Sequence, residues 1–346
     1  MKNIITLLDV NIPIIQAPMA GVQDSQLAIA VSNAGGLGSL PCSMLSVEEL
    51  HQQLTIIKEQ TKKPINLNFF CHKMTEPNQQ QQAAWFTELA PFLNKYQIDP
   101  STINIETNRR PFGQEQLDVL AEFKPKVVSF HFGLPDKNLL DQLKEWGTTI
   151  LSTATTIEEA LYLQANGADV IIAQGLEAGG HRGMFLTDDL MTQIGTMALV
   201  PQVVAAVNIP VIATGGIANA NCVKAAMTLG ASGVQVGTSY LLCPEAKTSL
   251  LHRQAILSDE IKHTAITNIF TGKPARALIN KAIQEIGPLN SLVPSFPYAT
   301  PAMAALRQIA ESQDSNNFTP LWASQNISGC NIIPAAEITK QLAKGI

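Results

Sequence analysis

The chain has 346 residues, the length of about two average domains or of one large α/β barrel with an addition. Apolar residues make up 46% and charged residues 15%, which excludes a disordered or solvating chain. With 23 Lys plus Arg against 28 Asp plus Glu, the net charge of −5 leaves no basic excess to displace counterions, which excludes a general nucleic-acid binder.

Along the chain, the apolar run 4–8 is stopped by Asp9, Asn11 and Pro13, with no small-residue cleavage site, so an export signal is not expected. Eight short apolar runs follow at 14–17, 37–40, 65–69, 127–131, 149–152, 170–173, 211–213 and 233–236. They suit strands of a parallel sheet covered on both faces. Amphipathic stretches at 47–61, 138–146, 157–166 and 220–229 separate them, the last two ending at Asn166-Gly167 and Gly230. Eight β-then-α units predict an α/β fold, a closed (β/α)₈ TIM barrel, with a doubly wound sheet as the other fold of this alternation. The uncharged stretch 190–223 is broken by Gly195, Pro201, Pro210, Gly215 and Gly216, and so reads as buried helix and strand rather than membrane.

Two spans break the period. Residues 72–122 predict extra helices near 83–95 and 114–122, beside the Gln79–Gln82 run. Residues 241–287 predict a small, mostly helical appended domain, leaving 1–240 and 288–346 as the barrel with its C-terminal tail. The five scattered cysteines read as reduced thiols, and a cytoplasmic location is expected.

Working residues of such a barrel follow the strands on one face. That face collects Met19 and Ala20, Asn68, His131, Gln174, the stretch Glu177 to Gly183, Gly215-Gly216, and Gln235-Val236-Gly237-Thr238. Paired glycines after strands seven and eight let backbone N–H groups reach an anion, usually a phosphate. No strand carries a lysine for a pyridoxal Schiff base, and no carboxylate or histidine cluster has metal-ligand spacing. Amides and backbone groups remain, which suit a flat heterocycle such as a flavin, and FMN is the cofactor read from them. Gly179, Gly180 and Gly183 flank His181, a residue able to move a proton near neutral pH. His131 ends an apolar strand and fits either a pocket or a satisfied core; Arg182 could hold an anionic substrate or pair outward.

Several segments together resemble the nitronate monooxygenase family, formerly the 2-nitropropane dioxygenases. They are Gln16 to Gly21, Asn66 to Phe70, Ser129 to Pro135, Gln174 to Gly183, Ala213 to Ile217 and Gln235 to Thr238. The Ser-Phe-His-Phe-Gly-Leu-Pro and Gly-Gly-His-Arg-Gly segments resemble its class I branch. The resemblance implies an FMN-bound TIM barrel that oxidises alkyl nitronates, propionate 3-nitronate above all, with O₂ and without NAD(P)H or metal. It implies that Asn68, Gln174, Gly179, Gly216 and Gln235 through Thr238 hold FMN, with Met19 and Ala20 beside the ring. It makes His181 catalytic and His131 a pocket residue. Where the family carries a late Tyr-Pro, a second Tyr and a Lys, this chain reads Phe296-Pro297-Tyr298-Ala299-Thr300-Pro301, with Ala304 where the Lys would fall, which removes a cation and one or two phenols from the pocket and leaves Phe296 there.

The expected partners are a small-molecule nitronate and O₂, with no nucleic acid and no membrane, and a homodimer is allowed. Two rival functions fit the same barrel: an NAD(P)H-dependent flavin reductase of quinones or enoyl thioesters, and a non-catalytic flavin- or phosphate-binding module.

Overall fold

The computed structural model describes residues 3–106, 109–259 and 263–346. In chain order the barrel half runs α1 (Ile4–Leu8), β1 (Ile14–Gln16), α2 (Ser25–Asn33), β2 (Gly38–Pro41), α3 (Val47–Gln60), β3 (Ile65–Phe70), α4 (Gln79–Lys95), α5 (Gln114–Phe123) and β4 (Val127–His131). It continues with α6 (Lys137–Glu145), β5 (Thr149–Ala154), α7 (Ile157–Ala165), β6 (Val170–Gln174), a two-residue β7 (Gly180–His181), α8 (Thr196–Ala206), β8 (Val211–Thr214), α9 (Ala220–Thr228) and β9 (Gly233–Val236). After it come α10 (Leu250–Leu257), β10 (Thr264–Thr267), β11 (Ala275–Leu278), α11 (Lys281–Ile286), α12 (Thr300–Ser312) and α13 (Ala335–Ala343).

Eight strands form one parallel sheet in the order β1-β9-β8-β6-β5-β4-β3-β2. A bridge between Ile15 and Leu37 joins β1 to the segment entering β2, and Gln16 N–H donates to the Leu37 carbonyl at 2.9 Å, which closes the cylinder. The eight strand positions predicted from apolar runs therefore stand. Each run is apolar on both faces because one face meets the barrel interior and the other meets helices. Local signals agree: Ser46 and Glu49 close a capping box on α3, and Thr156 caps α7 ahead of Glu158 and Glu159.

One apolar cluster joins Ile4, Leu8 and Val10 to Val127 and Val170, the first residues of β4 and β6. The N-terminal helix thus plugs the barrel at the end where strands begin, leaving the opposite mouth for ligands. Helix α13 packs outside the barrel on α2 and α9.

The segment 241–287 differs from its expected, mostly helical form. It holds α10 and α11 but also the antiparallel pair β10–β11, whose second strand pairs with β7 through Ala275 opposite His181. A separate apolar cluster unites Trp85, Leu89 and Leu93 of α4 with Ile269, Ile283, Met303, Leu306 and Phe318. It thus takes side chains from both sides of position 287 and from the insertion after β3. Among the described residues no helix is long and apolar enough to cross a membrane.

Candidate active site

A cavity of about 1370 Å³, counted with its open mouth, lies at the ends of β1, β3, β4, β6, β8 and β9. Its wall carries twelve residues expected to meet a cofactor: Met19, Ala20, Asn68, Gln174, Gly179 and Gly180 on one part, and Gly215, Gly216 and Gln235 through Thr238 on the other. His131 and His181 line it as well. Sequence positions as far apart as 19 and 238 converge because every parallel strand ends on the same face.

The cradle after β8 and β9 is made by backbone. Gly215 and Gly216 have φ of 122° and 70°, a region L side chains avoid, and a Cβ on Gly215 would lie 2.6 Å from Thr196 Oγ1. The tail reaches in to finish this wall: Ser324 N–H donates to Thr238 Oγ1 at 2.9 Å, and Asn326 Nδ2 donates to the Gly216 carbonyl at 3.0 Å. Glu177 turns away from the cavity and accepts from the N–H and hydroxyl of Thr196, fixing the start of α8.

The amides divide by role. Asn68 Nδ2 donates to Ser129 Oγ at 2.9 Å, which orients its side chain. Both ends of Gln174 are committed to the loop beside it: Nε2 donates to the His181 carbonyl at 2.9 Å, and Oε1 accepts from Gly183 N–H at 2.8 Å. Met19 N–H is likewise taken, by Gln23 Oε1 at 2.9 Å. Gln235 Oε1, by contrast, is buried on the cavity wall and has no protein partner, a demand that a bound ligand can meet.

His181 sits inside a ring of aromatic groups, with Phe70, Phe132, Phe296 and Trp322 centroids 5.4–6.1 Å away. Its Nε2 lies 2.9 Å from Thr271 Oγ1, in the turn between β10 and β11. Burial, and then the charges of Arg109 and Lys273, hold its pKa well below the usual histidine value, so the ring is neutral at pH 7. His131 is also neutral, pushed down to about 4 mainly by burial. Its Nε2 lies 3.2 Å from the His181 carbonyl and must donate, so Nδ1, at 3.1 Å from Thr153 Oγ1, accepts from that hydroxyl.

Arg182 is not a substrate residue by its position. It is fully buried away from the cavity, and its guanidinium donates to the carbonyls of Gly175 and Gln174 and to Gln193 Oε1 at 2.7–3.0 Å. Burial, with Arg276 nearby, lowers its pKa to about 9, and Glu177 and Glu159 oppose this. Phe296 stands one layer back from the cavity wall, its ring packed on His72 at 4.8 Å and on His181 at 5.8 Å.

Several wall residues carry no sequence signal: Arg109, Thr153, His252, Trp322 and Ser324. Among the described residues, the cavity wall includes Arg109 and three histidines but neither Asp nor Glu. No group of three or more His, Cys, Asp or Glu is placed to hold a metal ion among them.

The barrel mouth thus combines glycine turns after β8 and β9, amide side chains on its wall and a neutral imidazole. The model of the nitronate monooxygenase family matches residues 2–345. Relatives include a nitronate monooxygenase of Pseudomonas aeruginosa, 37% identical over 98% of this chain and 97% of its own length. A probable nitronate monooxygenase of Bacillus subtilis is 39% identical, covering 91% and 90%. A solved nitroalkane oxidase from Streptomyces ansochromogenes superposes with a TM-score of 0.90 at 34% identity over 99% of this chain and 97% of that one. FabK from Thermotoga maritima is more distant, with a TM-score of 0.74 at 26% identity over 100% and 96%. The chain belongs to the nitronate monooxygenase family, whose members are flavin-dependent oxidoreductases.

Proposed function

We propose that this enzyme binds FMN in the barrel mouth and uses O₂ to oxidise alkyl nitronates, of the propionate 3-nitronate type, without NAD(P)H. The observation that carries the reading is the charge of the wall beside His181: it includes Arg109 and, among the described residues, neither Asp nor Glu. A nitronate is an anion, and such a wall favours it over a neutral or cationic substrate.

The residues fit the cofactor. Gly215, Gly216, Gly237 and Thr238 supply a backbone cradle for its phosphate, and the unpartnered Gln235 Oε1 offers an acceptor to a ring or ribityl donor. At Gly180, φ is 73° and a Cβ would meet no atom within 4 Å, leaving open space for a flat ring next to His181. Bound FMN would supply the redox chemistry, and the chain supplies orientation and charge.

His181, neutral and beside the ring space, takes a proton from a neutral nitroalkane. Phe70, Phe132 and Trp322 pack around its ring. Arg109, whose guanidinium carbon is 5.9 Å from the Phe296 ring centre, offers a cation near the pocket where position 304 is alanine. That cation suits a substrate carboxylate.

Oxygen consumption by the FMN-loaded protein tests this, using propionate 3-nitronate and uncharged alkyl nitronates with and without NADH. The account predicts turnover with nitronates that NADH neither starts nor speeds. Turnover that needs NADH, or none with any nitronate, contradicts it.

A further inference from the structure

We propose that Thr271 is a positioning residue that keeps the proton of His181 on Nε2 and so turns the lone pair of Nδ1 toward the ligand. This rests on the reading of His181 as the group that handles the substrate proton. Thr271 is buried in the turn between β10 and β11, outside every motif that marks the barrel site. Its Oγ1 lies 2.9 Å from His181 Nε2. The hydroxyl hydrogen has its own acceptor, the Lys273 carbonyl at 3.4 Å. With the hydroxyl turned that way, Oγ1 offers His181 only a lone pair, and Nε2 must be the donor.

The turn is held rigidly enough to impose this choice. Gly272 N–H donates to the Asn268 carbonyl at 2.8 Å, and a Cβ on Gly272 would lie 2.4 Å from the Pro294 carbonyl oxygen. The backbone of His181 is pinned as well. Its carbonyl accepts from Gln174 and His131, its neighbour Arg182 donates to the Pro274 carbonyl at 2.8 Å, and Ala275 pairs with it across the small sheet. Among the described residues, the charged and titratable groups facing the ring are Arg109, His131, Lys273 and His72, with no carboxylate. The aromatic rings around it offer no acceptor. Thr271 thus does for this imidazole what a carboxylate does in a Ser-His-Asp triad, orienting the ring without adding a charge.

The consequence differs between substrates. With a neutral nitroalkane, the Cα–H bond breaks and the proton bonds to Nδ1. Its electron pair remains on carbon and delocalises into the nitro group as the nitronate, while Nε2–H stays on Thr271. With a preformed nitronate no proton leaves carbon, and the tautomer matters less.

The test uses FMN-loaded T271V and T271S, with nitroethane and ethyl nitronate as substrates across pH. Because positioned proton transfer contributes about 10²–10⁴-fold, T271V should lower the ratio of kcat/KM for nitroethane to that for ethyl nitronate by about 10-fold or more. T271S should restore the ratio. A ¹⁵N-histidine spectrum of the parent holoenzyme, assigned with H181N, should show His181 protonated on Nε2, and this readout needs no folded T271V. Equal losses on both substrates, failure of T271S to restore the ratio, or a parent His181 protonated on Nδ1 overturns the proposal. If H181N leaves nitroethane turnover intact, the reading of His181 falls, and this proposal with it.

Discussion

His131 Nε2 lies 3.2 Å from the carbonyl oxygen of His181, so the ring of one histidine supports the backbone of the other. Gln174 Nε2 donates to the same oxygen at 2.9 Å. Each donor covers for the other. On FMN-loaded protein, the H131F/Q174L double variant should lose more kcat/KM than the two single losses sum to, with a coupling of about 0.5–3 kcal/mol. A double-mutant cycle measures it, and strict additivity would show that the shared carbonyl is not what links them.

Buried neutral histidines make the fold acid-sensitive. Burial is the main cause that holds His72, His131 and His252 near 4, below the ordinary 6.5, and His181 is lowered too. Between those values the unfolded chain binds protons that the folded chain refuses. The stabilisation from His72, His131 and His252 is therefore full above about pH 6.5 and lost as pH falls toward 4, on the order of 1–3 kcal/mol for each of the three. Urea midpoints at pH 7.5, 6, 5 and 4 should fall across that window. A flat profile from 6.5 to 4 is the contrary result.

Arg182→Met is expected to act on stability and not on substrate recognition. It would strand three buried acceptors, on Gly175, Gln174 and Gln193, at about 1–3 kcal/mol for each that finds no water. Thermal or chemical unfolding should show a loss of about 3 kcal/mol or more, with loosened flavin binding. A variant of parental stability whose KM alone rises would return Arg182 to the substrate pocket.

Arg109→Gln should separate charged from uncharged substrates. The ratio of kcat/KM for propionate 3-nitronate to that for an alkyl nitronate of similar length should fall by about 10-fold, the loss of roughly 1.4 kcal/mol from one charge-assisted contact. Steady-state kinetics with the two substrates decides it, and an unchanged ratio removes Arg109 from carboxylate recognition.

The barrel was legible because its strands are apolar on both faces and its glycines follow them at fixed places. The same logic put His181 on the cavity wall, where it lies, but misplaced Arg182. His181 lies in the two-residue strand β7, where successive side chains point to opposite faces. With His181 turned to the cavity, Arg182 goes the other way, into the protein. The hairpin β10–β11 was missed because Thr264 to Ile266 is only partly buried and alternates weakly, and β7 is too short for any pattern. Trp322 and Ser324 reach the site only because the tail folds back, Trp322 bridging to Ala277, a long-range event with no local mark. Phe296 was placed near the pocket by resemblance, and its ring does pack on His181, though behind the wall.

In the function proposed above, a nitronate, not a nicotinamide, delivers electrons to a flavin in this mouth. Anaerobic stopped-flow mixing of the FMN-loaded protein with propionate 3-nitronate, and separately with NADH, reads the flavin absorbance directly. The account predicts rapid absorbance loss with the nitronate and none with NADH; rapid loss with NADH alongside indifference to the nitronate would contradict it.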